Sequence, residues 1–240
     1  MNRATCWRNQ SRLSSNIVDV GPETQERALP RGPHQLSRAA VEKSQRERLL
    51  WAVTEAVAAK GYNATTVADI ISGAKVSRTT FYQLFDDKLA CFLAANRAAS
   101  ELLVTMLESE LERIDREPDL SPQLKFEELL TSYLDAITSL AGVSRVFLVE
   151  VYAAGSPAVA QRRELMGKFI DLVVASRWGV AEGLISEAEL RALADVVVSA
   201  VSLHATTALA SDDLDSLAEI RNSLSTTMGL LLGEARPPQS

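Results

Sequence analysis

Apolar residues recur along most of this chain with the spacing of an α-helix. Leu49, Val53 and Val57 follow one another at intervals of four residues, and Leu165 and Phe169 repeat that interval further along. Residues at this spacing share one face of a helix. No segment alternates apolar and polar residues in the manner of a half-buried strand. The pattern therefore predicts an all-α fold.

Three helices are predicted in residues 38–92. The first ends before Gly61, a residue type that suits the position after a helix C-terminus. Thr65 is predicted to cap a short second helix, and Ser77 is predicted to cap a third. Residues 74–76 form a tight break between these two short helices. Two short helices around such a break, both apolar toward a preceding helix, indicate a helix-turn-helix.

The later helices are predicted from breaks that are rich in Gly, Pro, Ser and Asp. Residues 93–235 are interpreted as a helical bundle, long enough to enclose an apolar cavity for a small ligand. Residues 1–37 carry no sustained periodicity, and we interpret them as a disordered basic arm. The breaks fall near residues 117–123, 141–142, 155–157, 179–186 and 211–213.

The charge of the chain is unevenly distributed. The whole chain has a net charge of −6 at pH 7, but residues 1–98 carry 14 Lys and Arg against 9 Asp and Glu, a net charge of +5. The rest of the chain therefore carries −11. A basic N-terminal part on an acidic body is typical of a DNA-binding module joined to a regulatory domain, although drift in composition would give the same numbers.

The composition argues against several classes of site. Cys6 and Cys91 stand far apart, and His34 and His204 are isolated, so neither a disulfide framework nor a metal site is expected. A phosphate-binding P-loop, a G-x-S-x-G motif and an H-E-x-x-H motif are all missing, so we expect no catalytic residue, no enzyme activity and no cofactor. With neither a long apolar run nor a secretory signal, a cytoplasmic location is predicted.

The third predicted helix has two chemically different faces. Phe81 and Phe85 mark its apolar side, which is expected to pack on the preceding helices. The other side carries residues that all donate hydrogen bonds without negative charge, as contact with the major groove of DNA requires. A solvated face of an ordinary helical bundle is the alternative interpretation. The polar residues are Arg78, Thr79, Thr80, Tyr82 and Gln83.

Further groups around this helix are predicted to contact the DNA backbone. Lys75 and Lys88 lie on either side of it, and the amides of Thr65 and Thr66 stand at the start of the second helix. Arg31, flanked by Pro and Gly, could enter an A·T-rich minor groove or belong to a plain linker. The predicted DNA-contacting set is Arg31, Thr65, Thr66, Lys75, Ser77, Arg78, Thr79, Thr80, Tyr82, Gln83 and Lys88.

Residues 45–92 closely resemble the DNA-binding domain of the TetR/AcrR family. The resemblance rests on the stretch ATTVADI at 64–70 and the stretch VSRTTFYQLFDDK at 76–88. It implies an N-terminal three-helix DNA-binding domain, a divergent helical ligand-binding domain and a homodimer built on the last two long helices. It also implies that phosphates are contacted by Tyr82 and Lys88, and that the groove is faced by Arg78, Thr79, Thr80 and Gln83.

One residue departs from the pattern of that family. Lys75 stands in the turn where the family usually has Gly. If this turn has a left-handed backbone, a lysine costs up to about 1 kcal/mol relative to glycine. Either the turn is reshaped, or the added charge compensates through a phosphate contact.

Seven residues of the bundle are predicted candidates for ligand contact, because each brings an unusual side chain to an apolar face. Core packing is the alternative for every one of them. His204 shares a stripe with Val197 and Ala200 and is expected to be at least partly buried. The acidic balance of the bundle favours an apolar or cationic effector. The seven are Met106, Tyr133, Phe147, Tyr152, Phe169, Trp178 and His204.

Together these features predict a ligand-responsive transcriptional regulator, a repressor that a small molecule releases from a palindromic operator. A homodimer is expected through the last two helices, about residues 187–210 and 214–232, whose small residues permit close approach. The alternative is a DNA-binding accessory protein or activator with no small-molecule effector.

Overall fold

The computed structural model describes residues 37–231, with side chains described through residue 227. Within these residues the chain forms nine α-helices and one short 3-10 helix, Glu150–Tyr152, with no strand. This confirms the predicted all-α fold. The α-helices are α1 (Arg38–Lys60), α2 (Val67–Ala74), α3 (Arg78–Leu84), α4 (Lys88–Asp115), α5 (Pro122–Ser139), α6 (Ala141–Leu148), α7 (Ser156–Ser176), α8 (Glu187–Ser211) and α9 (Ser216–Leu231).

Short polar residues and one glycine fix the ends of the N-terminal helices. Ser77 caps α3 as predicted, because its side chain accepts a hydrogen bond from the backbone N–H of Thr80. Asp87 caps α4 in the same way by accepting from the N–H of Ala90. Gly61 follows α1 with a φ of +82°, the left-handed conformation that glycine adopts at least cost.

The cap of α2 lies one residue beyond the predicted position. Thr66, not Thr65, accepts the hydrogen bond from the N–H of Asp69, and the Asp69 carboxylate accepts the N–H of Thr66 at 2.7 Å. Thr65 is buried, and its Oγ1 donates to the carbonyl of Gly61 at 2.8 Å. The prediction was wrong because only the second of the two threonines has an acidic residue three positions later, which completes a capping box.

The described chain divides within α1, between Gln45 and Arg46, and the packing described here is that of the unit that begins at Arg46. Its first hydrophobic core, here called core 1, contains Leu49, Ile70, Phe81 and Phe92, none of which is exposed to solvent. Core 1 also takes in four residues from a much later part of the chain. These are Val146, Val151, Ala154 and Ala158.

The second hydrophobic core, core 2, joins the other end of α4 to α5, α8 and α9. Leu107 of α4, Leu134 of α5 and Ala205 of α8 are buried in it. Because α4 contributes Phe92 to core 1 and Leu107 to core 2, one continuous helix connects both. The division into a DNA-binding domain ending at residue 92 and an effector domain beginning at residue 93 stays a prediction.

By length and composition, α4 and α8 would be able to cross a membrane, with mean hydropathies of 1.3 and 1.5. The sequence analysis considered only uninterrupted apolar runs and therefore did not single out these two helices. Both helices nevertheless contribute buried side chains to the cores, such as Phe92 from α4 and Ala205 from α8. Apolar stretches of this kind are also typical of core helices in soluble bundles.

Candidate functional site

Helix α3 buries one face and presents the other to solvent. Phe81 is fully buried, with its ring centroid 6.0 Å from that of Phe85. Tyr82 is 47% exposed, and the guanidinium of Arg78 lies 5.7 Å from the centroid of its ring. Thr79 and Gln83 are also exposed. The helix therefore has the apolar and polar faces that the sequence predicts, with four polar side chains available to a ligand.

Ser77 and Thr80, two further residues of the predicted set, bond to each other at the start of α3. Their hydroxyl oxygens are 2.8 Å apart, and Ser77 Oγ also accepts the N–H of Thr80 at 3.0 Å. Thr80 is half-buried, whereas Ser77 is exposed. These two residues shape the helix terminus, so a contact of either with DNA would add to an existing structural role.

The turn between α2 and α3 has a left-handed backbone at Lys75, with φ 53° and ψ 46°. Its N–H donates to the carbonyls of Ile71 and Ser72. The guanidinium of Arg48 donates to the carbonyl of Ala74 at 2.9 Å, which further supports the end of α2. The side chain of Lys75 is exposed. The turn is therefore not reshaped to avoid the left-handed conformation.

Replacing Lys75 with glycine should raise stability while lowering affinity for DNA. Glycine at this φ relieves about 0.5–1 kcal/mol of backbone strain, which should raise the melting temperature. If the ammonium contacts a phosphate, its loss should also reduce the slope of log affinity against log salt by about 0.9. Thermal unfolding and DNA titrations at several salt concentrations measure the two effects. A less stable variant would contradict the strain argument.

The start of α2 is held by an ion pair as well as by its capping box. The ammonium of Lys60 lies 2.6 Å from Asp69 Oδ2, and the same oxygen accepts from Thr66 Oγ1 at 2.6 Å. Hydrogen bonds from Lys60 and Thr66 lower the pKa of Asp69 well below its usual range. The amides of Thr65 and Thr66 already donate within this turn. Their contact with phosphate stays a prediction, and it would have to share those donors.

Replacing Asp69 with asparagine should lower the melting temperature at pH 7 but have little effect in strong acid. A carboxylate with a lowered pKa in the folded state stabilises the fold above its ordinary pKa of 3.8, and this contribution is lost as the pH falls through the folded-state value. The difference in melting temperature between wild type and variant should therefore shrink steadily below pH 4. A constant difference down to pH 2 would contradict the ion-pair argument.

Lys88 is fixed in the turn between α1 and α2 rather than extended into solvent. Its Nζ donates to the carbonyls of Tyr62 and Thr65, both at 2.8 Å, and lies 4.1 Å from the centroid of the Tyr62 ring. Burial lowers the pKa of Lys88. The Tyr62 ring in turn packs edge-on against Phe92 at 5.0 Å. Lys88 thus positions the start of α2 whether or not it also reaches a phosphate.

Glu150, which the sequence pattern did not single out, reaches the same turn from the 3-10 helix. Its Oε2 accepts the backbone N–H of Tyr62 at 2.9 Å. A Cβ on Gly61 would lie only 3.2 Å from this oxygen. The signal available in the sequence was weak, because an acidic residue 88 positions away carries no local pattern.

The structure disperses the seven predicted ligand-contacting residues. Tyr133 and Phe169 pack edge-on at 5.9 Å, and Met106 is half-buried beside core 2. Phe147 lies on core 1, with its ring 6.1 Å from that of Phe92. Ligand contact by any of the seven stays a prediction.

Three of the seven have surroundings that the sequence did not indicate. Trp178 is buried, and its Nε1 donates to Asp115 Oδ1 at 2.7 Å. Tyr152 is 53% exposed. His204 is exposed, so its predicted burial was wrong. The buried face of α8 passes through Val201 and Ala205 and leaves His204 on its flank.

Arg31, metal binding and Cys91 were also considered in the sequence analysis. Arg31 lies outside the described residues. Among the residues that are described, no group of three or more His, Cys, Asp or Glu side chains could hold a metal ion. Cys91, whose thiol pKa is raised to about 12 by burial, lies in core 1 with its Sγ 3.7 Å from the carbonyl of Leu49.

Residues 49–95 match the family model described as bacterial regulatory proteins, tetR family. The match covers α2 and α3 together with the adjoining parts of α1 and α4. No curated protein matches the chain at a significant level.

Solved structures share the fold over most of the chain. A regulator from Syntrophomonas wolfei, described as a putative TetR-family member, has 18% identity over 81% of this chain and 98% of its own, with a TM-score of 0.64. FadR from Bacillus subtilis, solved with stearoyl-CoA, has 15% identity over 78% and 98%, with a TM-score of 0.59. FadR from Thermus thermophilus, solved with lauroyl-CoA, has 23% identity over 81% and 100%, with a TM-score of 0.56. At these identities the likeness establishes the shared fold.

Proposed function

We propose that this chain, whose residues 49–95 match the family model described as bacterial regulatory proteins, tetR family, is a homodimeric repressor that a small molecule releases from a palindromic operator. The observation that carries this proposal is α3, which buries Phe81 and exposes Arg78, Thr79, Tyr82 and Gln83. A short helix with this division of faces is suited to the major groove. We assign the protein no catalytic role and place it in the cytoplasm with its DNA.

The occupant proposed for the exposed face of α8 and α9 is a second copy of this chain. Val196 and Leu203, one helical heptad apart on α8, are 67% and 66% exposed. A groove of about 420 Å³ between α8 and α9 is lined by small residues such as Ala200 and Ala208, and His204 lies at its edge. Exposed apolar residues beside small ones favour close packing of helices about a two-fold axis.

The effector is proposed to have a large apolar body. The interior of the bundle offers half-buried apolar side chains beside core 2, including Met106, Phe169 and Leu172. Two proteins of the same fold hold ligands with long acyl chains, stearoyl-CoA and lauroyl-CoA. The sequence-based expectation was an apolar or cationic effector, and these observations support its apolar part.

The proposed signal passes through the segment that follows α6. Val151, Ala154 and Ala158 contribute to core 1, while Glu150 binds the turn before α2. A ligand that shifts this segment would move the turn and α2 with it. Release then requires that the ligand bind the DNA-incompetent state more tightly, since only a difference in affinity shifts a conformational equilibrium. An accessory protein or activator with no effector is the second candidate, because it would share the same α3.

Footprinting of the full-length protein on DNA flanking its own gene, at two salt concentrations, tests the proposal. A protected palindrome that weakens steeply with salt is expected. Arg78→Ala should weaken binding to that site by about 2 kcal/mol and relax the preference at particular bases. Arg163→Ala, which removes an exposed arginine from α7, is the matched control and should bind normally. Failure to select any DNA from the whole genome would contradict DNA binding.

A screen of small molecules against the operator complex separates the two candidates. A repressor of the proposed kind should lose operator affinity when an effector binds and should gain thermal stability by mass action. Effector binding that leaves operator affinity unchanged would favour the accessory protein.

A further inference from the structure

Within the described part of the chain, Arg162 of α7 is a buried positive charge whose hydrogen-bond partners are all neutral. Its side chain is 6% exposed. Its Nη2 donates to Ser202 Oγ at 2.7 Å and to Thr206 Oγ1 at 2.8 Å, and its Nη1 donates to the carbonyl of Phe147 at 3.4 Å. Within the described residues, no Asp or Glu forms an ion pair with Arg162.

The neighbouring hydroxyls cannot supply the missing negative charge. Thr206 Oγ1 donates its own hydrogen to the carbonyl of Ser202 at 2.8 Å, and Ser202 Oγ lies 3.9 Å from Met166 Sδ. The three bonds from Arg162 use at most three of the five N–H donors of a guanidinium. A guanidinium stays charged at physiological pH, and a buried charge without an anion costs several kcal/mol. Among the described residues, the arrangement therefore leaves the positive charge without an anionic partner.

Other arginines of the bundle are neutralised by the protein itself. Arg113 pairs with Glu110 and Glu128. Arg145 donates to the carbonyls of Leu209 and Ala210, at the C-terminus of α8 where the helix dipole is negative. Of these three, Arg162 is the most buried, and its contact with a helix C-terminus is a single long hydrogen bond of 3.4 Å to the carbonyl of Phe147 in α6.

One aromatic ring lies near the guanidinium. The distance from the guanidinium to the centroid of the Tyr152 ring is 5.7 Å. Burial raises the pKa of Tyr133 to about 12, and the positive charge of Arg162 opposes part of that rise. The Tyr133 ring packs on Phe169. Of the predicted ligand residues, Tyr152 thus meets the guanidinium with its ring, and Phe147 meets it through its backbone carbonyl.

We propose that Arg162, with Ser202 and Thr206, binds the oxyanion of an amphipathic effector, a carboxylate or a phosphate, while the apolar body of the effector packs beside Tyr133 and Phe169. This proposal rests on the effector function proposed above and deepens it. It reverses the cationic half of the sequence-based expectation, because a buried guanidinium repels a cation. It also explains why a chain with an acidic bundle places an unpaired arginine between α7 and α8.

Calorimetric titration of the full-length protein with four ten-carbon probes, each below its micellar concentration, tests the anion site. Decanoate and decyl phosphate should bind at least tenfold more tightly than decan-1-ol, and decylamine should bind more weakly than the alcohol. The order of the two anions identifies the preferred head group. Equal affinity for all four probes, or no binding of either anion, overturns the proposal.

Variants assign the preference to Arg162. Arg162→Gln should reduce the affinity for both anions to that for decan-1-ol while leaving the alcohol unaffected. Arg145→Gln, which removes an arginine bound to carbonyls, should lower the melting temperature but keep the anion preference. If Arg162→Gln does not fold, Arg162→Lys should keep the charge preference with weaker carboxylate binding, because lysine lacks the bidentate fork. An unchanged anion preference in Arg162→Gln overturns the assignment.

The same four probes distinguish anion binding at Arg162 from regulation of operator binding. Binding to Arg162 is measured without DNA. If anions bind through Arg162 but leave operator affinity unchanged, the anion site is supported and its role as an effector site is contradicted. If molecules that bind Arg162→Gln as tightly as the wild-type protein release the operator, the proposed regulatory function is supported and the anion site is contradicted.

Discussion

Lys88→Met is expected to lower the free energy of unfolding by about 3 kcal/mol and to weaken binding to every DNA sequence. The variant removes two hydrogen bonds from an ammonium to the carbonyls of Tyr62 and Thr65. Hydrogen bonds to charged groups contribute about 1.5–3 kcal/mol each. It also removes the contact of the ammonium with the Tyr62 ring. Methionine keeps an apolar stem of similar length, so the loss reports the polar contacts.

Lys75→Met is the matched control for this experiment, because both lysines are predicted phosphate contacts but only Lys88 is built into the fold. Lys75 is exposed, and its substitution by methionine should leave chemical denaturation unchanged. If both ammonium groups reach phosphates, both variants should reduce the salt slope by about 0.9. A Lys88→Met protein as stable as the control would contradict the structural role. An unchanged salt slope in that variant would limit Lys88 to positioning the turn.

Glu150→Ala is expected to cost about 2 kcal/mol of stability and to weaken the response to an effector about tenfold. The substitution leaves the N–H of Tyr62 without its carboxylate acceptor in a partly buried turn. If the segment around Glu150 carries the proposed signal, a shift of that segment in the variant should no longer move the turn before α2. Operator affinity with and without effector, measured together with thermal unfolding, separates coupling from stability.

Glu150→Gln controls for this result by keeping an oxygen that can accept the same N–H. It should retain most of the effector response and lose only the part that depends on charge. Glu164→Ala, which removes an exposed carboxylate from α7, should behave as wild type. An Ala variant at position 150 with a full effector response would show that the signal passes by another route.

Local rules of helix ends made much of the N-terminal region predictable. Ser77 caps α3 and Gly61 ends α1, as expected from residue types within a few positions. The left-handed turn at Lys75 was left open, because lysine is an unfavourable residue for that conformation. The misassigned cap at Thr65 shows the limit of this reasoning. Two adjacent threonines offer the same hydroxyl, and the choice of Thr66 depends on Asp69 completing the box.

Long-range partners account for what the sequence did not predict. The role of Glu150 depends on an amide 88 positions earlier, and no periodicity encodes such a contact. Arg162 did carry a signal, because it lies three residues before Leu165 and seven before Phe169 on the apolar stripe of α7. An arginine on such a stripe has either a buried partner or a ligand. Only the structure shows that its protein partners are neutral.

The composition of core 1 limits how proteins of this fold can be recombined. Its side chains come from α1 to α4 and also from Val146, Val151, Ala154 and Ala158. A hybrid sensor made by exchanging the first three helices and the start of α4 would inherit a foreign surface against residues 146–158. Cavities and clashes at such a seam cost several kcal/mol. The transplantable unit is therefore discontinuous in sequence, and a graft that carries residues 146–158 along with the N-terminal helices preserves both the packing and the Glu150 contact.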